Sequence, residues 1–306
     1  MLDEAKSLFD MVAAAVALVR DFFLDGYIAL VCIAITAPLL GALLVVRRVP
    51  LLALAVPQFA ACGQAAIFWV FPVFVATFSD GVLPEPSAFL QTVASIAAVG
   101  LGMLLLFAGS ARDLGSRAAI AFLVAIALRD VFFLHSPYNE VFEDLTQRGR
   151  LLTVDGARRN TVAIVSALAL SFVVAVRRRN LIAAFDPDQA RLLGVRPGTQ
   201  RLATLLVFGL YAAIVVPIVD ASVVLVLALV PPIVMRAATP SLAAYLPLSV
   251  GASVVGAQLA LLFACMEGVD WPPAPALTII VTLTSLLLAL PCWLLRAHRW
   301  RAARPR

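Results

Sequence analysis

Long apolar runs, each closed by a charged or proline- and glycine-bearing stretch, dominate the chain. They fall at about 26–46, 51–77, 92–109, 118–134, 161–176, 204–219, 221–236, 241–266 and 274–295. A helix in lipid satisfies its backbone hydrogen bonds internally, and about 20 residues cross the hydrocarbon layer. The pattern predicts an all-α fold, a polytopic transmembrane helical bundle of about nine spans. Eight to ten fit the same pattern, because several runs are short and 204–236 is nearly continuous. Asp3, Glu4, Lys6, Asp10, Arg20 and Asp21 make the start too charged for a span. Residues 1–25 are therefore expected as an amphipathic segment on the membrane surface. They lack the basic start, unbroken apolar core and cleavage site of a secretory signal. Residues 26–295 form the transmembrane domain, and 296–306 a basic tail.

Composition supports that picture. Of 306 residues, 63% are hydrophobic and 13% charged, with a mean hydropathy of +1.02; a soluble domain carries about 25% charged residues. The four cysteines, Cys32, Cys62, Cys265 and Cys292, lie in apolar stretches without CxxC spacing. They imply neither a disulfide framework nor a structural zinc site. The net charge is +5, and its distribution matters more than its sign. Sixteen of the 23 Lys and Arg residues fall on one set of loops, with only Asp113, Asp186 and Asp188 among them. Basic loops stay in the cytoplasm, which predicts a cytoplasmic carboxyl terminus and an external amino terminus. The basic balance thus belongs to topology, and nucleic acid is excluded as a partner. No P-loop, HExxH or GxSxG motif is present, so ATP hydrolysis on this chain is excluded and no cofactor or catalytic residue is assigned.

The longest cytoplasmic connection, Arg177 to Ala203, contains a short helix with both ends marked. Asp186 is its N-cap, Pro187 its first residue and Gly194 its stop. Such a helix suits docking to another protein, and equally a plain connector. Inside the spans, Gln58 follows Pro57 and leads into a small or polar run through Gly63 and Gln64. This run suits either helix packing or the wall of a solute path. Asp220 follows Pro217 and lies either at membrane depth or at an outer turn. Arg129 and Asp130 point about 100° apart on a helix. Arg129 is therefore free to meet Asp220 or a carbonyl, or to snorkel to the interface. In the outer segment 135–160, Val141, Phe142 and Leu145 suit a short amphipathic helix that receives an external protein or caps the bundle. His135, Glu140, Glu143 and Asp144 offer acid–base groups for a membrane enzyme acting on lipid; a regulatory subunit is a third class.

The segment FDPDQARLLGV, residues 185–195, resembles the "fDpe-A-x-x-x-Gv" stretch of the ABC-3 permeases, the membrane subunits of bacterial zinc and manganese ABC importers. GALLVVRR (41–48), LLTVDG (151–156), SVVLVLALVPPIVMRA (222–237) and DWPPAP (270–275) resemble further family stretches in the family's order. The resemblance covers about residues 26–295. It implies a type II importer permease fold in the bacterial inner membrane, a homodimeric pathway, a separate cytoplasmic ABC ATPase and an external solute-binding protein. The ATPase would act on a coupling region of about 178–203, through Phe185, Asp186, Ala190, Leu193 and Gly194. One departure bears on cargo. Aligning Arg47 and Arg48 with the family's arginine pair makes Gly63 the motif glycine of the second span. Leu54 and Gln58 then stand where metal-importing members carry Asp and His. Leucine offers no metal ligand and glutamine one weak carbonyl oxygen; no metal site is assigned. The family's cargo, a divalent zinc- or manganese-class ion, is the first expectation, and a metal chelate or small polar solute the alternative. Gln58, Gly63, Arg129 and Asp220 are the candidate pathway residues.

Overall fold

The computed structural model describes residues 2–47, 49–75, 86–107, 114–138, 151, 154–239, 241–266 and 271–302. Eleven helices run through them: α1 Leu2–Phe22, α2 Leu24–Val46, α3 Pro50–Val75, α4 Ala88–Phe107, α5 Leu114–Leu134, α6 Gly156–Phe185, α7 Pro187–Leu192, α8 Pro197–Val219, α9 Ala221–Ala238, α10 Leu242–Ala264 and α11 Pro273–Ala302. Eight of them, α2, α3, α4, α6, α8, α9, α10 and α11, are long and apolar enough to cross a membrane. The fold is all-helical and transmembrane, as the apolar runs require.

The expected fourth span, 118–134, is the one run outside those eight. It lies within α5, whose Arg117, Arg129 and Asp130 interrupt every apolar window of sufficient length. Even so, α5 runs beside α3 through the same depth. Gly115 lies against Leu51, Phe132 stacks on Trp69 with ring centroids 5.4 Å apart, and Ser136 Oγ donates to the Phe68 carbonyl at 2.9 Å. Of the charges of α5, Arg129 pairs with the neighbouring Asp130 at 2.9 Å and also reaches Gln58 of α3.

Several boundaries move outward from the apolar runs. Arg177, Arg178 and Arg179, expected as the start of a loop, continue α6 to Phe185. Its 30 residues make a rod of about 45 Å, longer than the roughly 30 Å hydrocarbon layer. α8 likewise begins at Pro197, well before the apolar run at 204. Arginine is a good helix former, so the helices do not stop where hydrophobicity does. The expected basic tail is also helical to Ala302. The start of the chain is a helix, α1, which rests on α2 and α10 through buried Ala15 and Val19. The amphipathic helix expected around Val141, Phe142 and Leu145 lies outside the described residues, as do Glu140, Glu143 and Asp144.

The core lies where α2, α3, α8 and α9 meet, with Leu30, Ile33, Leu44, Phe208, Tyr211 and Leu227 fully buried. Small residues let the helices approach, as lipid-embedded packing demands. At the crossing of α2 and α9, a Cβ on Gly41 would stand 1.6 Å from the Ala228 carbonyl oxygen. By contrast α4 and α11 expose most of their apolar side chains, Leu104, Leu105, Leu287 and Leu294 among them. Exposed apolar faces of this kind suit contact with lipid or with another apolar surface.

Candidate functional site

The connection between α6 and α8 is built as a rigid knob. Asp186 ends α6 and caps α7, its Oδ1 accepting from the Asp188 and Gln189 amides at 3.1 and 2.9 Å. At the other end Gly194 takes φ +74°, a left-handed conformation that glycine adopts without penalty. The Val195 amide donates to the Ala190 carbonyl at 2.8 Å and the Gly194 amide to the Arg191 carbonyl at 3.0 Å. This pair closes the helix as a Schellman motif. Asp186, Pro187 and Gly194 thus occupy the roles their residue types imply. Ala190 does not face outward: it is fully buried, seating α7 against α6 and α8. Leu192 and Leu193 project instead, 88% and 60% exposed. Leu192 was not singled out from sequence, although an apolar pair on a short capped helix is the signal that marks it. Phe185 is the last residue of α6. Beside the turn, Arg179, Leu193, Val195, Arg196 and Thr199 line a cleft of about 390 Å³.

A polar relay ties this knob to the carboxyl-terminal end of α2. Arg47 Nη2 donates to Asn180 Oδ1 at 2.7 Å; Asn180 Nδ2 donates to Thr204 Oγ1 at 3.3 Å, and Thr204 Oγ1 to the Gln200 carbonyl at 2.8 Å. Burial, with the neighbouring Arg201 charge adding to it, pushes the Arg47 guanidinium down to about 10. Asn180 and Thr204 were not anticipated, since single polar residues beside an arginine run carry no distinctive spacing.

The candidate pathway residues separate into three environments. Gly63 lies in the contact of α3 with α4, where a Cβ would stand 2.4 Å from the Ala94 carbonyl oxygen. Ser95 Oγ donates to the Ala60 carbonyl at 2.9 Å and Gln64 Nε2 to Gln91 Oε1 at 3.1 Å in the same seam. Gln58 is buried, and Arg129 Nη1 reaches its Oε1 at 3.5 Å from α5. Of the alternatives open to Arg129, Asp220 is not the partner it takes. Arg129 pairs with its neighbour Asp130 at 2.9 Å, because flexible stems overcome the angular offset between adjacent residues. Among the described residues no three His, Cys, Asp or Glu side chains come together as metal ligands.

Asp220 is the junction between α8 and α9. Its side chain accepts from the Ser222 amide at 2.7 Å and from the Ser222 hydroxyl, capping α9. The backbone is at φ 115°, ψ 148°, next to a region that costs non-glycine residues about 1–3 kcal/mol. Replacing a cap by alanine costs about 1 kcal/mol, and by glycine only a few tenths. Asp220→Gly is therefore expected to raise the unfolding temperature in detergent, and Asp220→Ala to lower it. A glycine variant as destabilised as the alanine variant would show that the backbone carries no strain.

A helical bundle of this kind, bearing a capped knob between two protruding helix ends, is a membrane permease of the transporter class. The chain belongs to the ABC 3 transport family, whose model matches residues 20–292; it is a permease of an ABC importer. Among solved structures it is similar to PsaBC from Streptococcus pneumoniae in complex with Fab. There the TM-score is 0.71 at 14% identity, covering 90% of this chain and 95% of that one. It is also similar to an inward-facing ABC transporter described as a putative metal-chelate type. That match has a TM-score of 0.65 at 16% identity and covers 96% of this chain and 99% of the other. No curated protein sequence matches the chain.

Proposed function

We propose that two copies of this permease enclose a pathway in a bacterial inner membrane, that a cytoplasmic ABC ATPase grips α7, and that an external binding protein delivers a metal in chelated form. Arginine clusters at the protruding ends of α6 and α11 support an orientation with these ends in the cytoplasm. The capped α7, with Leu192 and Leu193 outward, supports mechanical coupling of ATP-driven closure to the bundle.

The observation that carries the cargo assignment is the Arg129 guanidinium resting on Gln58. A bare divalent ion passing here would meet one amide oxygen and a fixed positive charge. Two unit charges at 4 Å interact by about 4 kcal/mol where the effective dielectric constant is near 20. Asp130 offsets part of this repulsion but is itself 60% exposed. An anionic or neutral chelate meets no such barrier and can accept hydrogen bonds from Arg129. The likeness to a metal-chelate type transporter agrees with this. The bare zinc or manganese ion is the second reading, favoured by family membership.

Uptake into proteoliposomes holding the permease, its ATPase and binding protein separates the two. Zinc or manganese is offered free and as the citrate complex. The complex should enter preferentially, and Arg129→Gln should lower its uptake about tenfold, the scale of a lost hydrogen bond to a charged group. Equal entry of the free ion, with no change of preference in Arg129→Gln, would refute the chelate assignment.

A further inference from the structure

The α4 and α8 helices diverge on the lipid-facing side and leave a groove of about 900 Å³. Its walls are apolar: Ile96, Leu104 and Phe107 on α4 face Leu202, Leu206 and Leu210 on α8. Gly209 closes its floor, since a Cβ there would stand 2.6 Å from Met103 Cε. Gly100 and Gly198 open onto it, and a Cβ at either would meet nothing within 4 Å. One charged side chain lines the groove. Arg201 lies at its inner end, with a buried Nε that has no hydrogen-bond partner. Arg47, at the inner terminus of α2, adds a second positive charge close enough to interact with it.

We infer that this groove binds one anionic phospholipid of the inner leaflet, with its headgroup phosphate on Arg201 and its acyl chains between α4 and α8. Charge and length both select that occupant. Arg201 stands one turn inside the start of α8, at the depth where arginine stems snorkel and headgroups lie. From Arg201 to Ala213, the last α8 residue of the groove, the helix rises about 18 Å. Half of a hydrocarbon core of about 30 Å is about 15 Å, so the groove is one leaflet deep. A second copy of the chain would bring a whole helix across both leaflets, longer than the groove. Basic pockets between spans on the cytoplasmic side are known to take anionic headgroups. A lipid seated here would fill the space beside α8, the helix that leads directly from α7. It would thereby stiffen the link between knob and bundle.

The full chain in nanodiscs of equal phosphatidylglycerol and phosphatidylcholine, released into mild detergent and weighed by native mass spectrometry, tests the inference. The wild type should retain one phosphatidylglycerol in preference to phosphatidylcholine. Arg201→Gln should lower that preference about fivefold, the effect of one basic side chain near an anionic headgroup, and Arg201→Lys should restore it. Gly100→Phe, whose Cβ enters open space and whose ring occupies the groove, should lose the retained lipid with an unchanged circular dichroism spectrum. Equal retention by wild type and Arg201→Gln would overturn the inference. So would a Gly100→Phe variant that splits an oligomer while keeping its lipid, because the occupant would then be a second copy.

Discussion

Gly41→Leu is expected to abolish a monodisperse folded state, and Gly41→Ala to cost about 3 kcal/mol. A Cβ at this position would overlap the Ala228 carbonyl oxygen at 1.6 Å and its carbon at 2.6 Å. Both partners are backbone, so no rotamer change relieves the clash, and α2 and α9 must separate along their whole crossing. Overpacking a well-filled core ordinarily costs about 1–3 kcal/mol; a backbone-on-backbone clash belongs at the upper end. In lipid no hydrophobic drive restores the contact, since the association rests on van der Waals fit. Gly209→Ala is the matched control. Its obstacles are side chains rather than backbone: the terminal methyl of Met103, which can swing away, and Val99 Cγ1 at 3.0 Å, which must give by a few tenths of an ångström. Thermal unfolding and size-exclusion profiles in detergent should rank wild type and Gly209→Ala together, well above Gly41→Ala. Equal stability of the two alanine variants would mean that α2 and α9 do not cross at Gly41.

The same glycine shows what was legible in advance and what was not. Spans were legible because the hydrocarbon layer imposes one length on every helix and punishes charge within it. α5 departs from that rule: its half-buried Arg129 pairs with Asp130 on the same helix and reaches Gln58 on α3, and the α3 contact is invisible along the chain. α7 was legible to the residue, since its ends are set by local chemistry: an aspartate accepting amides and a glycine at positive φ. Which of its residues faces out was not. Ala190 invited a docking role, yet it is buried, because the face of a short helix is chosen by α6 and α8 rather than by its own sequence. Polar residues in spans were the least legible. Gln58, Gly63, Gln64 and Asp220 share no common fate: one meets an arginine, two stitch α3 to α4, and one caps α9. The Asp220 cap is local; the other outcomes are long-range contacts, and single residues carry no periodicity from which to infer one.

The second large effect belongs to that outward face. Leu192→Asp together with Leu193→Asp is expected to break ATPase association while leaving the permease folded. Both side chains are exposed and contribute little to packing, so the unfolding temperature should not move. At an interface, however, burying an unpaired carboxylate in place of an apolar anchor costs about 2–4 kcal/mol, a loss of roughly 30- to 1,000-fold in affinity. Asp186→Ala should fall between, because losing the cap frays α7 by about 1 kcal/mol without altering its face. Ala190→Leu should act oppositely, lowering stability first, since no space separates α7 from its seat. Pull-down of the ATPase, read beside unfolding temperature, distinguishes the two kinds of damage. Full-strength association in the double aspartate variant would remove α7 from the interface. The work of ATP closure would then have to enter the bundle elsewhere. The other route open on this side is the cleft lined by Arg179 and Arg196, where charge reversal rather than loss of apolar contact would be the damaging change.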